Sequence, residues 1–174
     1  MRSPLWSVRK LLAHFAAVLA LGALAACSPA FLSAPAPEVG AVAPEIRLQS
    51  LQGEALSLGD LRGQVVLINF WATWCGPCKL EMPAIQARYN DGGFAVLAVD
   101  FNEPADLVQT FVDDLDLSFP ILLDPGGKVQ ELYRVRGYPT TFFVDAEGII
   151  RALHIGEMSA DILDNYLARM GVRP

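Results

Sequence analysis

Seven residues, Val65-Val66-Leu67-Ile68-Asn69-Phe70-Trp71, lead almost directly into Trp74-Cys75-Gly76-Pro77-Cys78, and this junction constrains the fold more than any other stretch. The run is nearly unbroken in apolar residues and β-branched at its start, as suits a central strand buried on both faces. Residues 76 to about 90 then read as a helix with Leu80, Ile85 and Tyr89 inward, kinked at Pro83, which lacks a backbone donor. Cys75 thus falls at a helix N-terminus, where unpaired N–H groups and the helix dipole favour a thiolate. It is the expected nucleophile. Cys78, one turn further in and shielded from solvent, is placed to resolve a mixed disulfide formed by Cys75. A zinc site would need two more cysteines or histidines, and only Cys27 and His154 remain outside the leader. The strand-to-helix position favours redox chemistry, with no metal and no cofactor beyond the Cys75–Cys78 pair.

The remaining body alternates strands with helices. Residues 46 to 58 read as a short hairpin covering a sheet edge, and 94 to 99 as a second buried strand. Leu107, Val108, Phe111, Val112 and Leu115 repeat at helical spacing across 104 to 116. A strand over 119 to 123 and a short helix over 128 to 133 follow. Residues 140 to 145 and 149 to 155 flank Ala146-Glu147-Gly148 as an antiparallel hairpin, and Ile162, Leu163, Tyr166 and Leu167 mark a closing helix. The expected fold class is α/β, a mixed sheet with helices on both faces, in one domain over residues 45 to 174.

The first 26 residues have a different character. Arg2, Arg9 and Lys10 precede an apolar run ending in Leu24-Ala25-Ala26-Cys27, the shape of a secretory signal. About 16 apolar residues cover only part of a ~30 Å hydrocarbon core, although an uncleaved membrane anchor remains an alternative. Every version exports the domain. Residues 27 to 44, with Pro29, Pro35, Pro37 and Pro44 among small side chains, are expected to form a flexible spacer. A chain starting at Cys27 keeps 10 basic residues against 19 acidic ones, a formal charge of −9. Such a surface repels phosphate backbones, and no phosphate cradle is present, so nucleic acid and nucleotide partners are not expected.

Phe70-Trp71-Ala72-Thr73-Trp74-Cys75-Gly76-Pro77-Cys78-Lys79 resembles the active site of the thioredoxin superfamily, and residues 40 to 170 are similar to its TlpA/ResA-type membrane-anchored branch. That resemblance implies a thioredoxin-like mixed central sheet with an N-terminal β-hairpin and a central insertion over 101 to 135. Leu24-Ala25-Ala26-Cys27 resembles a bacterial lipobox, which implies an acylated Cys27, tethered to a membrane on its extracytoplasmic, periplasm-facing side. Glu81, about 60° round the helix from Cys78, resembles the branch's glutamate implicated in proton transfer at the resolving thiol. Asn69 stands where thioredoxins carry a buried aspartate, and an amide cannot relay a proton. Gly137-Tyr138-Pro139-Thr140 implies a cis Pro139 facing the cysteines and a Tyr138 backbone free to pair with a client strand. Trp74, Gly76 and Pro77 complete the expected client contact surface. Trp71 is expected to shield the disulfide, Lys79 to be solvated, and His154 to be structural or on the surface, since nothing at metal or triad spacing accompanies it.

The implied activity is that of a monomeric reductase of client-protein disulfides, in cytochrome c maturation or copper-site assembly, recharged by a membrane electron donor of the DsbD/CcdA kind. A disulfide-forming oxidant and a non-enzymatic copper-delivery module are the alternatives. Gly76-Pro77 resembles the reducing thioredoxin dipeptide, and the CxxxC spacing of Sco-like copper proteins is absent. Peroxidase chemistry is disfavoured because Ala72 stands where the peroxiredoxin pattern has a threonine.

Overall fold

The computed structural model describes residues 37–172. The expected signal segment, Cys27 and most of the spacer lie outside the described residues. The strands are β1 (Arg47–Ser50), β2 (Ala55–Ser57), β3 (Val66–Trp71), β4 (Ala95–Phe101), β5 (Ile121–Asp124), β6 (Thr140–Val144) and β7 (Ile150–Ile155). The helices are α1 (Gly76–Asp91), α2 (Ala105–Asp114), α3 (Lys128–Leu132) and α4 (Ala160–Arg169). One sheet contains all seven strands in the order β2-β1-β5-β4-β3-β6-β7. Strands β3, β4 and β5 are parallel, and the flanking pairs are antiparallel. Parallel neighbours need covered faces, and all six residues of β3 are buried accordingly.

Alternation along β3 divides the core. Leu67 and Trp71 point to the face covered by α1, α2 and α4, where Met82, Ile85, Phe111, Leu163 and Leu167 pack. Val66, Ile68 and Phe70 point to the other face, against Ile46, Leu97, Tyr133 and Phe142. Asn69 shares the α1 face by the same alternation. Arg88 of α1 pairs with Asp164 of α4 and ties these two helices together.

Three expectations are corrected. Leu80 is 67% exposed because the inward stripe of α1 runs through Cys78, Glu81, Met82 and Ile85, roughly opposite Leu80 on the helix. Leu107 is likewise exposed, one position short of the buried stripe Val108, Phe111 and Val112. Residues 37–44 do not behave as a spacer. Pro37 and Ala43 are buried, the Gly40 N–H donates to Ile150 O (2.7 Å), the Ile150 N–H to Ala41 O (2.9 Å), and the Ala43 N–H to Gly148 O (2.9 Å). This segment closes the start of edge strand β7, so the ordered body begins ahead of residue 45. Helix α1 runs through Pro83 without interruption, with Pro83 exposed on its outer side.

Candidate active site

Strand β3 delivers the chain to the C-terminal end of the sheet, where a short turn feeds α1. Cys75 occupies the N-cap of α1 in extended backbone geometry, and its Sγ accepts the Cys78 N–H at 3.2 Å. The nucleophile position is therefore solvated by a helix donor, which favours negative charge on sulfur. Pro77 sits in the first turn, where its missing N–H costs no helical bond. Cys75 and Cys78 are joined by a disulfide. Cys75 is 5% exposed and Cys78 fully buried, so an incoming sulfur reaches the first and not the second.

Glu81 lies on the inward stripe of α1, one turn beyond Cys78, and is only 1% exposed. Its Oε1 accepts from Asn69 Nδ2 at 2.7 Å and its Oε2 from the Met158 N–H at 3.0 Å. Burial is the dominant influence and pushes the carboxyl up to about 7, against the Met158 and Asn69 hydrogen bonds, with the Glu157 charge adding to the rise. An acid poised there can exchange a proton with a neighbouring thiol at neutral pH. Asn69 Nδ2 also donates to Thr141 Oγ1 at 2.9 Å, while Asn69 Oδ1 is buried without a partner. A half-turn of the amide would present Oδ1 to a protonated Glu81, so Asn69 can serve either protonation state.

A carboxyl pair, Asp100 and Glu103, not anticipated from sequence, holds the turn before Cys75. Glu103 accepts from both Thr73 N–H and Thr73 Oγ1 at 2.6 Å, and its own N–H donates to Asp100 Oδ2 at 3.0 Å. Burial pushes Asp100 up to about 7, with the neighbouring Glu103 carboxyl adding to the rise. The signal available was an acid ending an apolar strand, because α/β sites gather at the carboxyl ends of strands.

The expected client-contact residues surround this turn. Trp74 is 66% exposed and meets Tyr138 edge-on at 5.5 Å, while Phe101 meets Tyr138 at 5.8 Å. Gly76 and Pro77 are exposed beside the disulfide. The Tyr138–Pro139 bond is cis, and Pro139 is buried at the start of β6. The Tyr138 hydroxyl donates to Gln130 Oε1. Burial and the charges of Asp100, Asp124 and Glu103 push that hydroxyl up to about 12. Trp71 is buried against Phe111 at 4.8 Å, and Lys79 is exposed.

Two sulfurs bridged at the mouth of a helix, with a neutral-range acid behind them, make this a thiol-disulfide oxidoreductase built on a thioredoxin-like sheet. Comparison with known proteins agrees: the chain belongs to the AhpC/TSA family, whose model matches residues 39–153. It is 39% identical over 136 residues to the thiol-disulfide oxidoreductase ResA of Oceanobacillus iheyensis, covering 74% of this chain and 71% of that one. It is 43% identical over 134 residues to the thioredoxin-like protein YneN of Bacillus subtilis, covering 74% and 78%. A crystal structure described as a putative thiol:disulfide interchange protein DsbE from Chlorobium tepidum superposes with a TM-score of 0.69 at 33% identity, covering 76% of this chain and 97% of that one. An exposed lipoprotein thioredoxin (Etrx1) from Streptococcus pneumoniae gives 0.65 at 32% identity, covering 72% and 99%. Buried Ala72 stands three residues before Cys75.

Proposed function

We propose that the protein reduces disulfides of client proteins outside the cytoplasm, with Glu81 as the acid–base partner of Cys78. The observation that carries this reading is the buried Glu81 carboxyl on the inward stripe of α1 that also carries Cys78. In the reduced protein, Cys75 thiolate attacks one sulfur of a client disulfide and expels the other as a thiolate. Glu81 takes the proton from Cys78, whose sulfur then attacks Cys75 Sγ and releases the second client thiol. The client gains two electrons, one proton handed on from Cys78 by Glu81 and a second proton from water, and Cys75–Cys78 becomes a disulfide. A membrane donor of the DsbD/CcdA kind returns two electrons, and no other cofactor enters the cycle. Trp74, Tyr138 and the Pro139 turn form the surface on which the client lies, and one copy of the chain suffices.

Export rests on the basic-then-apolar leader ending at Cys27, and the lipoprotein description of the pneumococcal structure supports acylation there. Clients in cytochrome c maturation or copper-site assembly follow from the resemblance to the TlpA/ResA-type branch. Cys78→Ser, expressed with its own leader, is expected to accumulate covalent mixed disulfides with its clients in the membrane fraction, which mass spectrometry identifies. Glutathione titration is expected to give a potential near the reducing end of the CxxC range. A potential at the oxidising end would turn the reading into disulfide formation, and stoichiometric copper binding would turn it into metal delivery. Glu81→Gln should slow resolution of the mixed disulfide about a hundredfold at neutral pH.

A further inference from the structure

His154 has partners that lead to Glu81 by two routes. On the sheet, His154 of β7 pairs in register with Thr141 of β6, and Thr141 with Asn69 of β3. Laterally paired residues share a sheet face, so the three form a polar row from the sheet centre to its edge, beneath the helix that carries Glu81. Thr141 and Glu81 both accept from Asn69, which joins the inner end of the row to the carboxyl.

The second route passes through the loop between β7 and α4. His154 Nε2 lies 3.3 Å from the Glu157 carbonyl oxygen, and the N–H of that same peptide unit, on Met158, donates to Glu81 Oε2 at 3.0 Å. A carbonyl only accepts, so Nε2 carries hydrogen. Nδ1 lies 3.4 Å from the Tyr166 hydroxyl, which donates to a neutral ring and accepts from an imidazolium. The ring can therefore change charge without releasing the Glu157 carbonyl. Hydrogen bonds at the two ends of one peptide unit polarise each other in the same sense.

We infer that His154 is a positioning residue for Glu81: its imidazole holds the Glu157–Met158 peptide that donates to the buried carboxyl, and its protonation favours the Glu81 carboxylate. The titratable groups around the pair are Glu157 on the connecting loop, Tyr166 on α4 facing the imidazole, and Cys78 on α1 one turn before Glu81. From the strands, the neutral Asn69 and Thr141 lie between them. The Glu157 charge opposes ionisation of Glu81, and an imidazolium at the end of β7, against that loop, offsets it. In function, the reduced protein would keep its base available at a lower pH than Glu81 alone allows, a consequence that rests on the acid–base role proposed above.

The test is a pair of NMR titrations on the oxidised full-length chain, reading the Glu81 side-chain carboxyl carbon and the His154 ring. In the wild type, attraction between imidazolium and carboxylate is expected to stretch the Glu81 curve. His154→Gln keeps a donor for the Glu157 carbonyl but cannot charge. It is expected to raise the Glu81 midpoint by about half a pK unit and sharpen the curve to a single ionisation. Glu81→Gln must lower the His154 midpoint by a comparable amount, because coupling between two sites is reciprocal. Unchanged Glu81 titration in His154→Gln, together with unchanged His154 titration in Glu81→Gln, would overturn the inference. In exchange assays, His154→Gln should be two- to threefold slower than wild type near pH 6 and equal to it near pH 8.5. Coupled titrations with an unaltered rate in Glu81→Gln would uphold the His154–Glu81 pairing and sink only the catalytic role of Glu81.

Discussion

Glu81 occupies a helix position whose geometry asks for an apolar side chain, between Cys78 and Ile85 on the stripe that faces the core. Its carboxyl is raised from 4.5 to about 7, chiefly by burial, so the folded chain holds this proton more tightly than the unfolded chain does. Stability from this group is thus fully present below about pH 4.5 and is lost as pH rises through 7. Between pH 5 and 8 the loss is about 2 to 3 kcal/mol. Urea unfolding of the oxidised protein should show wild type losing that much more stability than Glu81→Gln over this interval. Asp100 is raised in the same sense but is present in both proteins and cancels in the comparison. Equal pH dependence in the two would mean that Glu81 is ionised at low cost and is no proton store. Cys75, Cys78 and Glu81 were legible in the sequence because their relation lies within two helical turns. Glu103 was not, because its partner Thr73 is 30 residues away and only the parallel register of β3 and β4 brings them together. His154 was passed over for the same reason: its links to Glu81 run through a sheet register and a backbone amide.

Among the elements, the buried strands and their connecting helices could be read directly, since β3 and β4 are apolar runs of strand length and the helices repeat at helical spacing. Leu80 was misassigned because hydrophobicity alone cannot rank two helix faces when an acid takes a core position, and Leu107 because it borders the buried stripe Val108, Phe111 and Val112. The strapping of residues 37–44 onto β7 uses backbone groups, which carry no side-chain signal. The β6–β7 hairpin behaves differently, since its turn has a demanding chemistry. Asp145 Oδ1 accepts from the Glu147 and Ile149 N–H groups at 3.1 and 2.8 Å. Gly148 has φ of 79°, and a Cβ there would fall on the Arg62 guanidinium, which donates to the Glu147 carbonyl. Gly148→Ala should therefore destabilise the fold by about 1 to 3 kcal/mol in urea unfolding, through the positive φ and the displaced Arg62. Gly53→Ala, with a similar φ but open space around it, should cost less, and equal losses would show that the backbone alone sets the penalty.

At the scale of the whole molecule, charge is distributed unevenly about the disulfide. No lysine or arginine occurs between Arg88 and Lys128, a stretch that holds eight acidic residues and forms β4, α2 and β5. Asp100, Glu103 and Asp124 from that stretch all act on Tyr138, which itself touches Trp74 next to the nucleophile. The proposed client surface is therefore flanked on one side by acidic residues, and the protein as a whole carries a formal charge of −6. Fields of this kind act mainly on encounter rate, and salt screens them over about 10 Å at 0.1 M. A disulfide-bonded peptide flanked by lysines should be reduced about three- to tenfold faster at low salt than at 0.5 M, whereas one flanked by glutamates should be reduced faster as salt is added. Glu103→Gln would confound the measurement by loosening the turn at Thr73, so Asp106→Asn, exposed at the start of α2, is the better probe and should flatten part of the salt dependence. If both peptides reacted at rates indifferent to salt, client choice would rest on the aromatic contact of Trp74 and Tyr138, with no part played by the acidic side of the site.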